Sequence, residues 1–98
     1  MREMSYLKWL EGWYESYCDD EWEQTHSLKI ESIDTPGWRV TIPLLATELE
    51  DKLLHEIIID RDDNDWVRCW IKDGYFEGAG GLRNLEEMIQ IFKEWAEG

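Results

Sequence analysis

The sequence contains Trp66-Val67-Arg68-Cys69-Trp70-Ile71-Lys72, followed by Asp73-Gly74 and then by Tyr75-Phe76-Glu77. In the first segment small apolar residues alternate with polar and aromatic ones, which is typical of a β-strand with one buried face. The Asp-Gly pair favours a two-residue hairpin turn, because both residues tolerate positive φ angles. The sequence therefore predicts a strand over 66–72, paired with a short strand around 75–77.

Further strands are predicted towards the N-terminus. Apolar and polar residues alternate over 28–31 and again over 38–44, and the two segments flank Asp34-Thr35-Pro36-Gly37. Pro36 presets the φ of the second turn position and Gly37 supplies a positive φ, so a type II turn is expected. The β-branched residues 57–59 predict another strand over about 55–61, and residues 62–65 predict the turn that follows it.

Helices are predicted at both ends of the chain. Apolar residues recur at three- and four-residue steps from Ser5, a candidate N-cap, to Cys18, and again from Leu85 to Ala96. Asn84 and Glu87 have the spacing of a capping box, and Gly78, Gly80 and Gly81 suggest a flexible joint. The predicted fold is one α+β domain over residues 1–98, with an N-terminal helix, an antiparallel meander of four to five strands and a C-terminal helix. Its two layers place both helices on one sheet face.

Composition narrows the range of functions. The chain has 23 acidic and 10 basic residues and a formal net charge of −13, beyond the magnitude of about 2–8 usual for a small domain. Nucleic-acid binding and attraction to anionic membranes both need a basic surface, so neither is expected. The N-terminal residues show no signal peptide, and two cysteines make no disulfide framework, which favours a reduced cytoplasmic protein. Such acidity favours positively charged partners, or a surface that imitates a polyanion.

No pattern of residues points to catalysis or a cofactor. Cys18, His26, His55 and Cys69 lack the spacing of zinc ligands, and residues 62–65 lack the glycine and the distal glutamate of a calcium loop. Neither a nucleophile motif nor a complete phosphate-binding loop is present. We therefore expect no enzyme, no metal and no cofactor.

Two acidic clusters containing a tryptophan are more informative. Carboxylates surround or precede Trp22 and Trp66, and a tryptophan amid carboxylates suits an interface with a basic protein, since charge speeds encounter and the ring supplies buried area. Solvated loops beside core tryptophans are the alternative interpretation. The alternation of Trp38 with Val40 and Ile42 favours the core for that ring. The candidate contacts are Asp19, Asp20, Trp22, Glu23, Trp38, Asp62, Asp63, Asp65 and Trp66.

These residues also resemble those of a known family, immunity protein 53 of bacterial polymorphic toxin systems. The resemblance is spread over nearly the whole chain. It rests on Trp9-Leu10, Trp13-Tyr14, Cys18-Asp19, Trp22-Glu23, Asp34, Pro36-Gly37-Trp38, Leu49-Glu50, Asp65-Trp66, Cys69, Phe76, Gly78, Gly80-Gly81, Asn84-Leu85, Phe92 and Trp95. Gln24 departs from the histidine that the family tends to have at that position.

The resemblance implies a cytoplasmic protein that binds and neutralises a cognate toxin. Nuclease toxins bind polyanions and are commonly basic, so the charge of this chain favours a nuclease-type toxin. A small-molecule or carbohydrate-binding module that uses the open sheet face is the first alternative, and a small hydrolase with clustered carboxylates is the second. Monomer and homodimer both remain open.

Overall fold

A computed structural model describes residues 5–98, which form a five-stranded antiparallel sheet and three helices. The elements in chain order are α1 (Tyr6–Glu15), α2 (Trp22–Thr25), β1 (Lys29–Ile33), β2 (Gly37–Pro43), β3 (Ile57–Asp62), β4 (Asp65–Lys72), β5 (Tyr75–Gly80) and α3 (Leu85–Glu97). The predicted α+β class, with a helix at each end and an antiparallel sheet between them, is confirmed. The short helix α2 was not predicted from the sequence.

The strand order differs from the sequential order of a simple meander. The strands pair in the order β1-β2-β5-β4-β3, so β5 lies at the centre and β3 at an edge. The chain therefore crosses one end of the sheet between β2 and β3, through residues 44–56. Leu44 and Leu49 of this connection are buried, and Trp95 of α3 donates its Nε1–H to the carbonyl of Leu53 at 2.9 Å. The connection thus closes one end of the hydrophobic core.

The central strand β5 extends through Gly80, so the predicted flexible joint is wrong at Gly78 and Gly80. A Cβ atom on Gly78 would lie 3.1 Å from the Sδ of Met88, and one on Gly80 would lie 3.4 Å from its Cε. Met88 belongs to α3 and is fully buried. The missing side chains therefore let α3 approach the middle of the sheet closely, which is a packing requirement rather than a need for flexibility.

Aromatic side chains join α1 to α3. Phe92 of α3 is fully buried, and its ring centroid lies 5.1 Å from that of Trp13 and 5.9 Å from that of Trp9, both on α1. Phe76 of β5 lies 5.0 Å from the same ring. Edge-to-face arrangements of this kind add to the stabilisation from burial. Both terminal helices thus cover the same face of the sheet, as predicted.

Local signals were correct at some turns and caps and wrong at others. Ser5 Oγ accepts hydrogen bonds from the backbone N–H groups of Leu7 and Lys8, which confirms the predicted N-cap. The first helix ends at Glu15, and Cys18 is exposed rather than on its apolar face. Once the helix ends, the three- and four-residue spacing no longer fixes which side a residue faces.

The two glycine-containing turns also differ in outcome. Asp73 and Gly74 have φ angles of 54° and 84°, as the predicted hairpin turn requires. The Thr35–Pro36 peptide is cis, and Gly37 has no positive φ, so the predicted type II turn is wrong. Gly37 instead begins β2, where a Cβ would meet the carbonyl oxygen of Gly80. Its role is to allow close approach of β2 and β5.

Candidate functional site

The acidic residues near α2, which we call the N-terminal cluster, are Asp19, Asp20, Glu21 and Glu23. Asp19 Oδ1 accepts hydrogen bonds from the backbone N–H groups of Glu21 and Trp22, at 3.0 and 2.9 Å. Glu23 accepts from the N–H groups of Asp19 and Asp20. The backbone bonds lower the pKa of Asp19, because they favour the charged carboxylate. Two of the four carboxylates therefore hold the local backbone together.

Trp22 lies in the interior beneath this cluster. Only 7% of its surface is exposed, and its Nε1–H donates to the carbonyl of Leu45 at 2.9 Å. The ring of His26 stacks on it with centroids 5.2 Å apart, and the rings of Tyr14 and Tyr17 lie within 5.6 Å. The ring therefore has little area to offer a partner, and the interpretation of Trp22 as a core tryptophan fits its position.

The second group of acids, which we call the hairpin cluster, consists of Asp60, Asp62, Asp63 and Asp65. It occupies the hairpin between β3 and β4, where the register shifts between Asp60 and Asp62. Asp62 Oδ1 accepts a hydrogen bond from the backbone N–H of Asn64 at 2.7 Å, which forms the turn. Asp60, Asp62 and Asp63 are exposed. Their charges therefore project from one corner of the sheet.

Asp65 differs from the other acids of this cluster because it belongs to a polar network below the hairpin. Its Oδ1 accepts from Arg61 at 2.7 Å and from Asn84 Nδ2 at 3.0 Å. Arg61 also forms two hydrogen bonds with Glu87, and Asn84 Nδ2 bonds Glu87 as well. Asn84 and Arg61 lower the pKa of Asp65, and Arg61 is the main cause of the lowered pKa of Glu87. The charge of Asp65 is thus balanced within the molecule.

This network corrects the predicted capping box of α3. Asn84 is the N-cap residue, but its side chain makes no capping hydrogen bond. The side chain of Asn84 is buried and joins Asp65 to Glu87 instead. The capping pattern failed here because the bonds from Nδ2–H to Asp65 and Glu87 fix the orientation of the amide and leave its Oδ1, the atom that would cap the helix, without a hydrogen-bond partner.

The other two predicted aromatic contacts lie on opposite faces of the sheet. Trp38 shares the helix-covered face with Val40, packs against the core and donates its Nε1–H to the carbonyl of Leu82 at 2.9 Å. Trp66 lies on the other face, which the helices leave uncovered and which we call the open face. It is partly buried there. Of the three predicted tryptophans, Trp66 is the one at a surface not covered by a helix.

A groove on the open face brings Trp66 together with the hairpin cluster. Its volume is about 450 Å³, and its lining residues are Asp60, Asp62, Asp63, Trp66, Arg68, Trp70 and Ala79. The sequence analysis did not include Arg68 or Trp70 among its candidates. The signal was present, because the alternation of β4 already placed both on the same face as Trp66.

The structure does not bring the two acidic clusters together. The N-terminal cluster is tied to the end of the sheet near Gly74, through Trp22, Leu45 and the bond from Leu44 N–H to Gly74 O. The hairpin cluster lies beyond the other end of β5, where Gly81 N–H bonds the carbonyl of Trp66. The six residues of β5 separate these ends, and at 3.3 Å per residue that is about 20 Å. The predicted candidates therefore form two sites.

Across residues 5–98, no three His, Cys, Asp or Glu side chains are grouped so that they could hold a metal ion. Within the same residues, the helices are too short and too polar to cross a membrane.

Comparison with known proteins identifies the family. A model of the immunity protein 53 family matches residues 7–97 of the 98-residue chain, so the chain belongs to this family. A search of curated proteins and a search of solved structures each found no match.

Proposed function

From this family membership we propose that the protein binds and neutralises a cognate toxin of a bacterial polymorphic toxin system. It acts in the cytoplasm as a non-catalytic inhibitor, by occupying a surface that the toxin needs. The match over residues 7–97 supports the immunity role. The proposal requires no cofactor, since binding alone blocks the toxin.

The proposed partner is a basic toxin domain of the nuclease type. A nuclease must attract the phosphate backbone of its substrate, and its binding surface is therefore positively charged. A chain with a net charge of −13 is attracted to such a surface over a distance of about one Debye length, near 8 Å at physiological salt. Complementary charge raises the association rate more than it raises the affinity itself.

The observation that carries this proposal is the exposed hairpin cluster beside Trp66. Asp60, Asp62 and Asp63 are exposed and line the same groove as the Trp66 ring. At the N-terminal cluster Trp22 is buried instead, and two carboxylates hold the backbone, as Asp62 also does in the hairpin cluster. The hairpin cluster therefore meets the requirements of a charged interface with an aromatic contact, and the N-terminal cluster meets fewer of them.

The test compares charge reversal at the two clusters. The toxin would first be captured from the source bacterium with the tagged protein and identified by mass spectrometry as the C-terminal domain of a large toxin. Asp60→Lys/Asp63→Lys should slow association with that domain about 10-fold or more at low salt, and weaken inhibition of its nuclease activity. Asp20→Lys/Glu21→Lys changes charge equally at the other end and should have a smaller effect.

Several results would contradict this function. Inhibition by the hairpin variant equal to that by the wild type would exclude steering by this cluster. Association rates that do not change between low and high salt would exclude a charged interface altogether. A captured toxin domain with an acidic surface would exclude the nuclease-type partner.

A small-molecule or carbohydrate-binding module is the second candidate, because two tryptophans line the open-face groove. Aromatic rings in a groove of this size could stack on a sugar or on another flat ligand. This candidate predicts a change in tryptophan fluorescence on addition of ligand, with little dependence on salt.

A further inference from the structure

The open face is the side of the sheet that neither terminal helix covers. Facing outward from the two central pairs of strands are Trp66, Arg68 and Trp70 of β4, Glu77 and Ala79 of β5, and Arg39 and Thr41 of β2. Tryptophan and arginine are the residues most enriched among those that dominate binding energy at protein interfaces. A sheet face without a helix, carrying such residues, is typical of an interaction surface.

The central part of this face forms the groove that Trp66 and Trp70 line. Trp66 and Trp70 are separated by four residues along β4, about 13 Å at the rise of a strand, and Arg68 lies between them. Across the sheet Arg68 is paired with Ala79, whose small side chain leaves room between the two rings. The groove therefore has a tryptophan at each end of its β4 side. The small side chain of Ala79, beside Arg68, leaves space for a side chain from a partner.

One of the two tryptophans is held in place from the neighbouring strands. The guanidinium of Arg39 lies 5.9 Å from the centroid of the Trp70 ring. Glu77 binds the same guanidinium at 3.2 Å. A ring braced in this way loses little conformational freedom when a partner binds, which favours affinity.

Arg68 is the basic residue that lines the open-face groove. It is exposed, and it forms no ion pair with any residue of the described range 5–98, although the chain has 23 acidic residues. Arg39 and Arg61, in contrast, are both paired with carboxylates. An unpaired guanidinium between two tryptophans presents several hydrogen-bond donors to whatever covers the face.

Both acidic and basic side chains line the groove, at different positions along it. The carboxylates of Asp60, Asp62 and Asp63 lie at the Trp66 end, and Arg68 lies in the middle. A partner that fits both must carry basic side chains at one end of its contact and a hydrogen-bond acceptor near the centre. Two molecules of charge −13 repel each other, which disfavours a second copy of this chain as the occupant of this face.

We infer that the open face, centred on Trp66, Arg68 and Trp70, is the surface that docks the basic toxin domain, and that Arg68 binds a carboxylate or carbonyl oxygen of that domain. This inference rests on the proposed function and assigns it a face and an orientation. The acids speed the encounter, the tryptophans supply the buried contact, and Arg68 fixes the register. Arg68 therefore selects the cognate toxin among other basic proteins.

The test reverses the charge of Arg68. Attraction by total charge alone and binding of an acceptor by Arg68 predict opposite effects of this change. If attraction were only a matter of total charge, Arg68→Glu would make the protein more acidic and would tighten binding to a basic toxin domain. If Arg68 binds an acceptor, Arg68→Glu should weaken binding about 10-fold or more, mainly through faster dissociation. Lys8→Glu is the control, since Lys8 is exposed on α1, which lies on the opposite side of the sheet from the open face. It should leave binding unchanged or slightly tighter.

The assay is surface plasmon resonance with the toxin domain that the wild-type protein captures. Trp66→Ala and Trp70→Ala should each weaken binding about 10-fold or more, as expected for central aromatic contacts. Circular dichroism would show whether these two variants fold. Arg68 is exposed, so the reversal at Arg68 remains informative if either tryptophan variant unfolds.

The possible results distinguish a wrong docking face from a wrong assignment of toxin binding. Wild-type protein that captures no toxin domain would overturn both. Wild-type binding together with an Arg68→Glu variant that binds equally or more tightly would overturn the docking face alone. A wild-type dimer that Trp66→Ala dissociates would assign the open face to a second copy instead.

Discussion

Replacing Phe92 by alanine tests how α1 is held to the rest of the protein. Phe92 is fully buried in α3, and its ring contacts Trp9 and Trp13 of α1 on one side and Phe76 of β5 on the other. α3 is the element against which α1 packs most extensively. The substitution therefore removes the side chain that joins the first helix to the sheet.

The expected loss of stability follows from this position. Truncating a buried phenylalanine costs about 3–5 kcal/mol, because apolar area is lost and a cavity is left. Phe92 makes four contacts with aromatic rings, those of Trp9, Trp13, Phe76 and Trp95. Each adds about 0.5–1.5 kcal/mol beyond burial, which places Phe92→Ala near the upper end of that range. Domains have an unfolding free energy of about 5–15 kcal/mol. The variant should therefore remain folded by a small margin, with α1 opening before the sheet.

The assay combines urea denaturation, followed by tryptophan fluorescence, with hydrogen exchange of the backbone amides. Leu53→Ala is the control, because Leu53 is 88% exposed and should change stability by less than about 0.5 kcal/mol. A loss below about 1.5 kcal/mol for Phe92→Ala would refute the reasoning from burial. Amides of α1 that stay as protected as those of β5 would refute the proposed role of Phe92 in holding α1.

Three further predictions concern glycine, cysteine and pH. Gly81→Ala should destabilise the protein by about 1–3 kcal/mol, because its Cβ would lie 2.5 Å from the carbonyl oxygen of Asn64. Gly12→Ala should stabilise α1 by up to about 1 kcal/mol, because a Cβ at Gly12 would have no atom within 4 Å. Thermal denaturation would compare the two variants. Burial raises the pKa of Cys69 to about 12. Cys18 is exposed, although partial desolvation and nearby carboxylates such as Glu23 raise its pKa as well. Ellman's reagent at pH 8 should therefore react with one thiol in the native protein and with two in urea. The lowered pKa values of Asp65 and Glu87 mean that their bonds to Arg61 stabilise the fold at neutral pH, and that this stabilisation is lost as the pH falls below about 4. Arg61→Gln should therefore destabilise the protein at pH 7 and much less at pH 3, and an equal loss at both values in urea denaturation would contradict this sign.

The sequence predicted the elements of the fold better than their arrangement. Alternation identified β2 and β4, and helical spacing identified α1 and α3, because each of these elements has one continuous apolar side. β5 was predicted to be short, because Gly78 and Gly80 lower the strand propensity. Their purpose becomes visible only when Met88 of α3 is placed above them. Strand order depended on that central strand, and so it could not be obtained from local patterns.

The candidate site, too, could be predicted only in part from local sequence patterns. Asp19 and Glu23 look like free charges in the sequence, as Asp63 does, but only the structure shows that the first two accept hydrogen bonds from backbone N–H groups. Similarly, nothing in the composition separates Trp22, the buried first residue of α2, from Trp66 on the open face. Whether a charge or a ring is available depends on its neighbours in space.

The total charge and the docking face of this protein affect different properties of its binding, namely the association rate and the choice of partner. A net charge of −13 attracts any basic protein, so it can set the association rate but cannot distinguish one toxin from another. Discrimination needs short-range features that the wrong partner fails to satisfy. The open face offers such a feature in Arg68, because a basic protein without an acceptor at that position would leave its guanidinium unpaired and desolvated between Trp66 and Trp70. A cation within an acidic protein is then the residue that makes its binding specific.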